Sequence, residues 1–407
     1  MILCLLLGNL LMIAISAAAP MYSHAALQRA LTRNLSDYLV ETGKNPGTVR
    51  VLTSYSLAAR DKEEAFQNVE RSHQAFAQML EEMDIPPLWE TSSYSKTPIR
   101  AKPDLIVDGG SSSILLRFAA YSDFENHATI THGRMYSPTI VDGTIEVVVS
   151  QRTFMEQTFI LDQEFTLENV SDPDGNPYRL KVVGIFESNP QDPYWMNDPS
   201  VWHNTCIIDH TLFQDLFINR EKHNQDFSAE WNCVLDYSKI RSDQTARYLS
   251  VLQRYQKTLE DMDAESVVHF QSTLESFLPE QQKLTTTLWV LLLPIFVLLV
   301  AFIFMVSRQM LEMEQNEISI YKSRGANKSQ IILLYLLQSL CIALVSLAGG
   351  IPLGMFLCKV LGASNAFLEF VQRAALPLEI TRDVWLFAGV VAGFSVSRIE
   401  IHSHSHR

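Results

Sequence analysis

The sequence predicts an α+β membrane protein: transmembrane helices with a large mixed α/β extracytoplasmic domain inserted between the first and second helix. Three observations carry this prediction. An apolar segment opens the chain over residues 2–20, a second apolar cluster begins at residue 286, and the stretch between them alternates strand-like and helix-like patterns. At 407 residues the chain is too long for one soluble core, and its 47% hydrophobic content hides a strong asymmetry. Residues 286–407 hold 9 basic and 7 acidic side chains, whereas residues 21–285 hold 23 basic and 38 acidic ones, a net charge of −15. Such a domain argues against nucleic acid or anionic lipid as a direct partner. A solvated acidic surface is its ordinary reading, and loose affinity for cationic molecules is the functional alternative.

The first transmembrane helix is assigned to residues 1–20. Ala17, Ala18 and Ala19 could also form a signal-peptidase site, but no basic n-region precedes them. Leu27, Leu31 and Tyr38 continue a helical pattern without a break, so a retained helix extending outward as a stalk is the preferred reading. Arg29 and Arg33 on its outer flank run against the positive-inside rule. The second transmembrane helix, residues 286–308, contains 19 uncharged residues from Leu288 to Val306, enough to cross a hydrocarbon core of ~30 Å. Pro294 within it predicts a kink.

A third helix over residues 331–361 carries Gly349, Gly350 and Gly354, small residues that permit close helix packing. Between these spans, residues 309–330 hold Lys322, Arg324 and Lys328, with Arg308 adjoining. Short basic loops stay in the cytoplasm, so the 21–285 domain, one crossing away, is expected outside. Residues 362–383 read as a short external loop. Residues 384–407 read as an incomplete fourth helix with an atypical tail, since the apolar run from Val384 to Val396 has only 13 residues. His402, His404 and His406 alternate beyond it, and a truncated end explains both oddities better than metal binding does.

Within the external domain, strands are expected at Val49 to Leu57, Asp104 to Val107, Ile114 to Tyr121, Ile145 to Val149, Glu164 to Glu168, Tyr178 to Phe186 and Val267 to Phe270. The turn string from Asp172 to Pro177 makes 164–186 a hairpin. Two helices carry apolar stripes, one from Phe66 to Met83 and one from Tyr248 to Met262, and His73 sits on the first as a core or edge residue. Cys206 and Cys233 lie in strand-like runs on the expected oxidising side. A disulfide is open to them if those strands pair, and two free buried thiols are the ordinary alternative.

Asp123, Glu125, His127 and His132 cluster without the spacing of a helical zinc protease and read as a polar loop. The sequence has no G-x-S-x-G, H-E-x-x-H or P-loop pattern, so it offers no evident hydrolase machinery, does not bind ATP in the usual manner and implies no cofactor.

The 309–330 loop is the most informative stretch. Met310, Met313, Ile320 and Ile331 are apolar among charges, Gly325 ends or bends a helix after Arg324, and Asn327 or Ser329 caps the next helix. A bent, charged element at the inner membrane face suits protein docking; a plain connection is the alternative. Glu317-Ile318, Lys322, Arg324, Gly325-Ala326, then Gly349-Gly350 and Gly354 resemble the pattern of the FtsX-like permease family, which includes MacB- and LolC-type ABC transporter subunits. Gln338 stands where that family has an acidic residue. The external stretch from Gly133-Arg134 to the 164–186 hairpin is similar to that family's MacB-like periplasmic core domain. The first apolar segment resembles the first helix of large permeases from Gram-positive anaerobes.

The resemblance implies a multi-pass plasma-membrane permease subunit, not itself an enzyme, that works with a separate cytoplasmic ABC ATPase as a dimer of transmembrane subunits in membrane lipid. ATPase contact would fall on Glu317, Ile318, Lys322, Arg324, Gly325 and Ala326. Mechanotransmission would act on lipid, lipoprotein or peptide substrates outside the membrane. A non-transporting regulator of a cell-wall hydrolase and a membrane-anchored ligand sensor are the alternatives. Members have four transmembrane helices per module, so a longer parent is expected.

Overall fold

A computed structural model describes residues 2–104, 113–172, 174–189, 192, 194–195, 204–219, 225–323, 328–362 and 382–404. The chain divides into two compact units. One, the helical unit, comprises Met1–Asp37, Arg241–Ala246 and Ser272–Arg407; the other, the sheet unit, comprises Tyr38–Ile240 and Arg247–Gln271.

Eleven described strands build the sheet unit: β1 (Thr48–Tyr55), β2 (Pro87–Ser95), β3 (Ile99–Pro103), β4 (Ile114–Tyr121), β5 (Ala128–Gly133), β6 (Thr144–Ser150), β7 (Glu164–Ser171), β8 (Pro177–Ser188), β9 (Thr205–Ile207), β10 (Phe227–Leu235) and β11 (Glu265–Val268). They join in the order β11-β1-β10-β2-β4-β3-β7-β8-β6-β9, with β5 on β8. A further parallel pairing of β9 with β4 closes β4, β3, β7, β8, β6 and β9 into a ring. β2 and β3 act as one bent strand, both antiparallel to β4, and the Lys96 amide donates to the Phe118 carbonyl at the bend (2.8 Å).

Alternation lines one face of this ring with Leu116, Phe118, Val147, Val149, Phe165, Leu167, Leu180 and Val182, all buried. The expected 164–186 hairpin is β7–β8, antiparallel, and its turn is fixed by Asp172 accepting from the Asn176 amide (2.7 Å) and by Gly175 at φ +88°. Of the expected strand at Asp104 to Val107, Asp104 is not in a strand but follows the end of β3 at Pro103, and residues 105–107 lie outside the described residues.

Two long helices pack with the sheet. Helix α2 (Lys62–Met83) starts at Asp61, whose side chain accepts from the Glu64 amide (3.0 Å), and ends at Asp84 in the left-handed conformation. Helix α6 (Thr245–Glu260) ties to it where the Tyr255 hydroxyl donates to Glu82 (2.8 Å) and Arg254 pairs with the same carboxylate. His73 is exposed and stacked on Trp231 at 4.9 Å, an edge position.

The structure leaves Cys206 and Cys233 as free thiols. Their strands do not pair: β9 lies between β6 and β4, β10 between β1 and β2. Burial pushes each thiol up to about 12, so neither carries thiolate at neutral pH.

The helical unit contains α1 (Ile2–Thr42, which continues into the sheet unit), α7 (Gln271–Ser323), α8 (Lys328–Gly362) and α9 (Arg382–His404). Leu6–Thr42 and Leu336–Val360 are long and apolar enough to cross a membrane. Helix α7 exposes Val290, Leu293, Val297, Leu298 and Phe304. Each large apolar side chain withheld from burial forfeits ~1.5–3 kcal/mol in water, so this row suits a lipid surface. The short segment Arg241–Ala246 joins this unit through Gln28, whose side chain accepts from the Ser242 amide (2.8 Å), and through His24, 3.8 Å from Asp243.

Candidate functional site: the α7–α8 connection and the helix seam

Helix α7 does not stop at the expected membrane exit near Arg308 but runs to Ser323, and α8 begins at Lys328. The reason is local: from Gln309 to Ser323 the sequence has neither Gly nor Pro and is rich in Gln, Met and Glu, good helix formers. Glu317, Ile318 and Lys322 therefore sit on helical backbone. Arg324, Gly325 and Ala326 lie outside the described residues.

Gly349, Gly350 and Gly354 fall on α8 where it meets α1. A Cβ at Gly350 would stand 2.6 Å from Ile13 Cγ2 and 3.3 Å from the Leu10 carbonyl oxygen; at Gly354 it would stand 2.7 Å from the Ala14 carbonyl oxygen. At Gly349 the nearest atom is Leu10 Cδ1, at 3.1 Å. Two residues of the seam are not glycines. Ser346 Oγ donates to the Leu6 carbonyl (3.5 Å), and Cys358 Sγ donates to the Ala18 carbonyl (3.2 Å).

The contacts form a ladder. Ser346, Gly350, Gly354 and Cys358 recur every four residues on α8, and they meet Leu6, Leu10, Ala14 and Ala18, which recur every four residues on α1. Both series ascend together, so the two helices run parallel. Val384, Ala388 and Val391 of α9 complete the same buried cluster. Reading only the glycines missed Ser346 and Cys358; the small residues at a spacing of four, matched by Ala14 and Ala18, were the available signal.

In the sheet unit, the polar stretch expected as a loop is a short helix α3 (Phe124–His127) followed by β5. His127 Nδ1 lies 2.7 Å from Asp192, Nε2 lies 3.5 Å from Asp123, and the ring stacks on Tyr194 at 4.0 Å. The Tyr136 hydroxyl donates to Glu125 (2.9 Å), and burial followed by the Glu125 charge raises its pKa. His132 is exposed. Among the described residues, no three His, Cys, Asp or Glu side chains are arranged to hold a metal ion. These groups instead pin Tyr194 and Trp195 over Phe124 and Phe186, a second buried layer beside the ring. The approach of Asp192, Tyr194 and Trp195 to α3 carries no local sequence signal.

Two helices long and apolar enough to cross a membrane, with a sheet-rich unit in the same chain, suit a membrane protein. Within that class, residues 289–397 match the FtsX-like permease C-terminal family. The resemblance to FtsX-like permeases therefore holds over residues 289–397, and that family suggests a permease-type membrane component of the ABC kind. Such components are non-enzymatic and normally work with an ATPase subunit. Among solved structures, a domain attributed to a permease protein of Porphyromonas gingivalis is similar at 10% identity with a TM-score of 0.27, covering 54% of this chain and 88% of that one. A likeness that distant says nothing further about the fold. No curated protein matches the chain.

Proposed function

We propose that this chain is a transmembrane subunit of a bacterial ABC transporter that acts by mechanotransmission on lipid, lipoprotein or peptide substrates outside the membrane. It works with a separate cytoplasmic ATPase, as a dimer of such subunits. The family match over residues 289–397 is the observation that carries this reading. The parallel seam supports its direction. If the basic α7–α8 connection is cytoplasmic, α8 rises outward, α1 rises beside it, and the chain leaving α1 enters the sheet domain on the outer side. ATPase closure would press on the segment holding Glu317, Ile318, Lys322, Arg324, Gly325 and Ala326, and α7 would carry the push along its length.

The test is Arg324→Glu in the full chain co-expressed with an ABC ATPase. Reversed charge should abolish co-purification and stimulated ATP turnover. Retention of both would remove the docking assignment, and failure of the unaltered chain to retain any ATPase would remove the reading itself.

A further inference from the structure

Helix α2 ends on a concentration of negative charge. Glu81, Glu82 and Asp84 crowd its C-terminus, the negative end of the helix dipole, where cations rather than carboxylates are stabilising. Asp84 also takes the left-handed conformation (φ 53°) in which a helix ordinarily places Gly or Asn, and its amide donates to the carbonyls of Leu80 (3.3 Å) and Glu81 (3.2 Å). The basic side chains that α6 brings to this end both fall on Glu82. Arg254 pairs with its carboxylate, beside the Tyr255 hydroxyl, and Arg247 donates to its carbonyl (2.8 Å).

Glu81 and Asp84 line a cavity of 500 Å³, within the ~300–1,000 Å³ range of organic-ligand clefts. β2 adds Glu90 to its wall, and all three of these acids are exposed. The floor is apolar and buried: Phe76 of α2, Ile85 just beyond it, and Leu235 of β10. The walls are held from behind. Cys233 lies directly across the β2–β10 ladder from Glu90, and its thiol donates to that carboxylate (3.9 Å). His73, which also lines the cavity, stacks on Trp231. Preordered walls lose little freedom when a ligand settles between them.

The ligand follows from this division. A buried apolar floor takes hydrocarbon, while three carboxylates and a helix C-terminus above it favour positive charge. A bound cation would also relieve the repulsion among acids gathered at the wrong end of a helix, a strain that functional sites carry at a cost in stability.

We propose that this cavity binds an organic cation, a protonated amine on an apolar body. Glu81, Asp84 and Glu90 take the ammonium, and Phe76, Ile85 and Leu235 take the body. The inference goes beyond the transporter reading and does not depend on it, because binding is measured without an ATPase or nucleotide.

The experiment uses the full chain in phosphatidylcholine nanodiscs, titrated calorimetrically with 4-phenylbutylamine and with 4-phenylbutanol, its neutral counterpart. The amine should bind saturably and about tenfold more tightly than the alcohol, the scale of one charge-assisted contact. Asp84→Asn with Glu90→Gln should remove that preference while leaving the melting temperature unchanged or raised, since Asn keeps the left-handed cap and the crowded charge is gone. Ala77→Phe, at an exposed α2 position on the cavity wall, should block binding of the amine without touching a charge, so the site is decided even if the double variant loses stability. Glu265→Gln, on β11, should leave binding intact. Equal binding of the two probes, no saturable binding, amine binding that survives Ala77→Phe, or the same loss from Glu265→Gln would each overturn the proposal.

Discussion

In the helical unit the buried seam brings Ser346, Gly350, Gly354 and Cys358 against the backbone of α1; in the sheet unit the buried mass is Phe118, Phe124, Phe165, Phe186 and Trp195. The difference follows from the solvent each unit is built for. In water, removing aromatic surface drives folding, and edge-on or stacked pairs such as Phe124 with Phe186 (5.1 Å) add ~0.5–1.5 kcal/mol each. In lipid the apolar drive between helices is absent, so close backbone approach replaces it, and the large apolar side chains of α7 face outward. One unit is sensitive to losing volume and the other to gaining it.

Substitutions of opposite kind sharpen that contrast. Phe186→Ala, at a side chain 1% exposed between Phe124 and Trp195, should cost the sheet unit ~3–5 kcal/mol, read by denaturant unfolding of its tryptophan signal. Gly354→Leu should cost the helical unit ~1–3 kcal/mol of overpacking, because the Ala14 carbonyl cannot retreat as a side chain can. Thermal stability in detergent reads that loss. Gly349→Ala, facing only the mobile end of Leu10, should come out near neutral, and an equal loss at both glycines would break the ladder.

The smallest effect is electrostatic. Glu146 accepts from Arg134 (2.6 Å) and from the Ser137 amide (3.0 Å), and the Arg134 hydrogen bond holds its carboxyl below the usual carboxylate range against the opposing pull of burial. A carboxyl lowered on folding stabilises above its unfolded pKa of ~4.3 and loses that contribution as pH falls through the folded value. Glu146→Gln should therefore cost about 1 kcal/mol at neutral pH, and the gap between the two proteins should close on acidification below that range. A gap that persists in acid would assign the loss to packing.

Legibility in the sequence follows the same divide. Periodicity located β1, β4, β6, β7, β8, α2 and α6, since each carries a run of buried apolar side chains at strand or helix spacing. β2, whose residues Leu88 to Ser95 are mostly polar or half-buried, left no such trace, and neither did the closure of the ring by β9, a three-residue strand. Long-range pairing of that kind is set by partners far along the chain. The glycines of α8 were visible as helix-packing residues, but their partners on α1 were not, because Ala14 and Ala18 sit in a run of small residues that could also be read as a cleavage site. The continuation of α7 to Ser323 was masked by charge: polar helix formers past the membrane exit look like a loop when apolar pattern alone is followed.

Sidedness offers the most direct test of a permease component with its sheet domain outside and its coupling segment inside. In a chain lacking its native cysteines, Glu187→Cys, at an exposed position of β8, and Glu317→Cys on α7 are probed in intact cells with a membrane-impermeant maleimide. Glu187→Cys should label at once, and Glu317→Cys only after the membrane is permeabilised. Labelling of both positions from the same side would contradict the account.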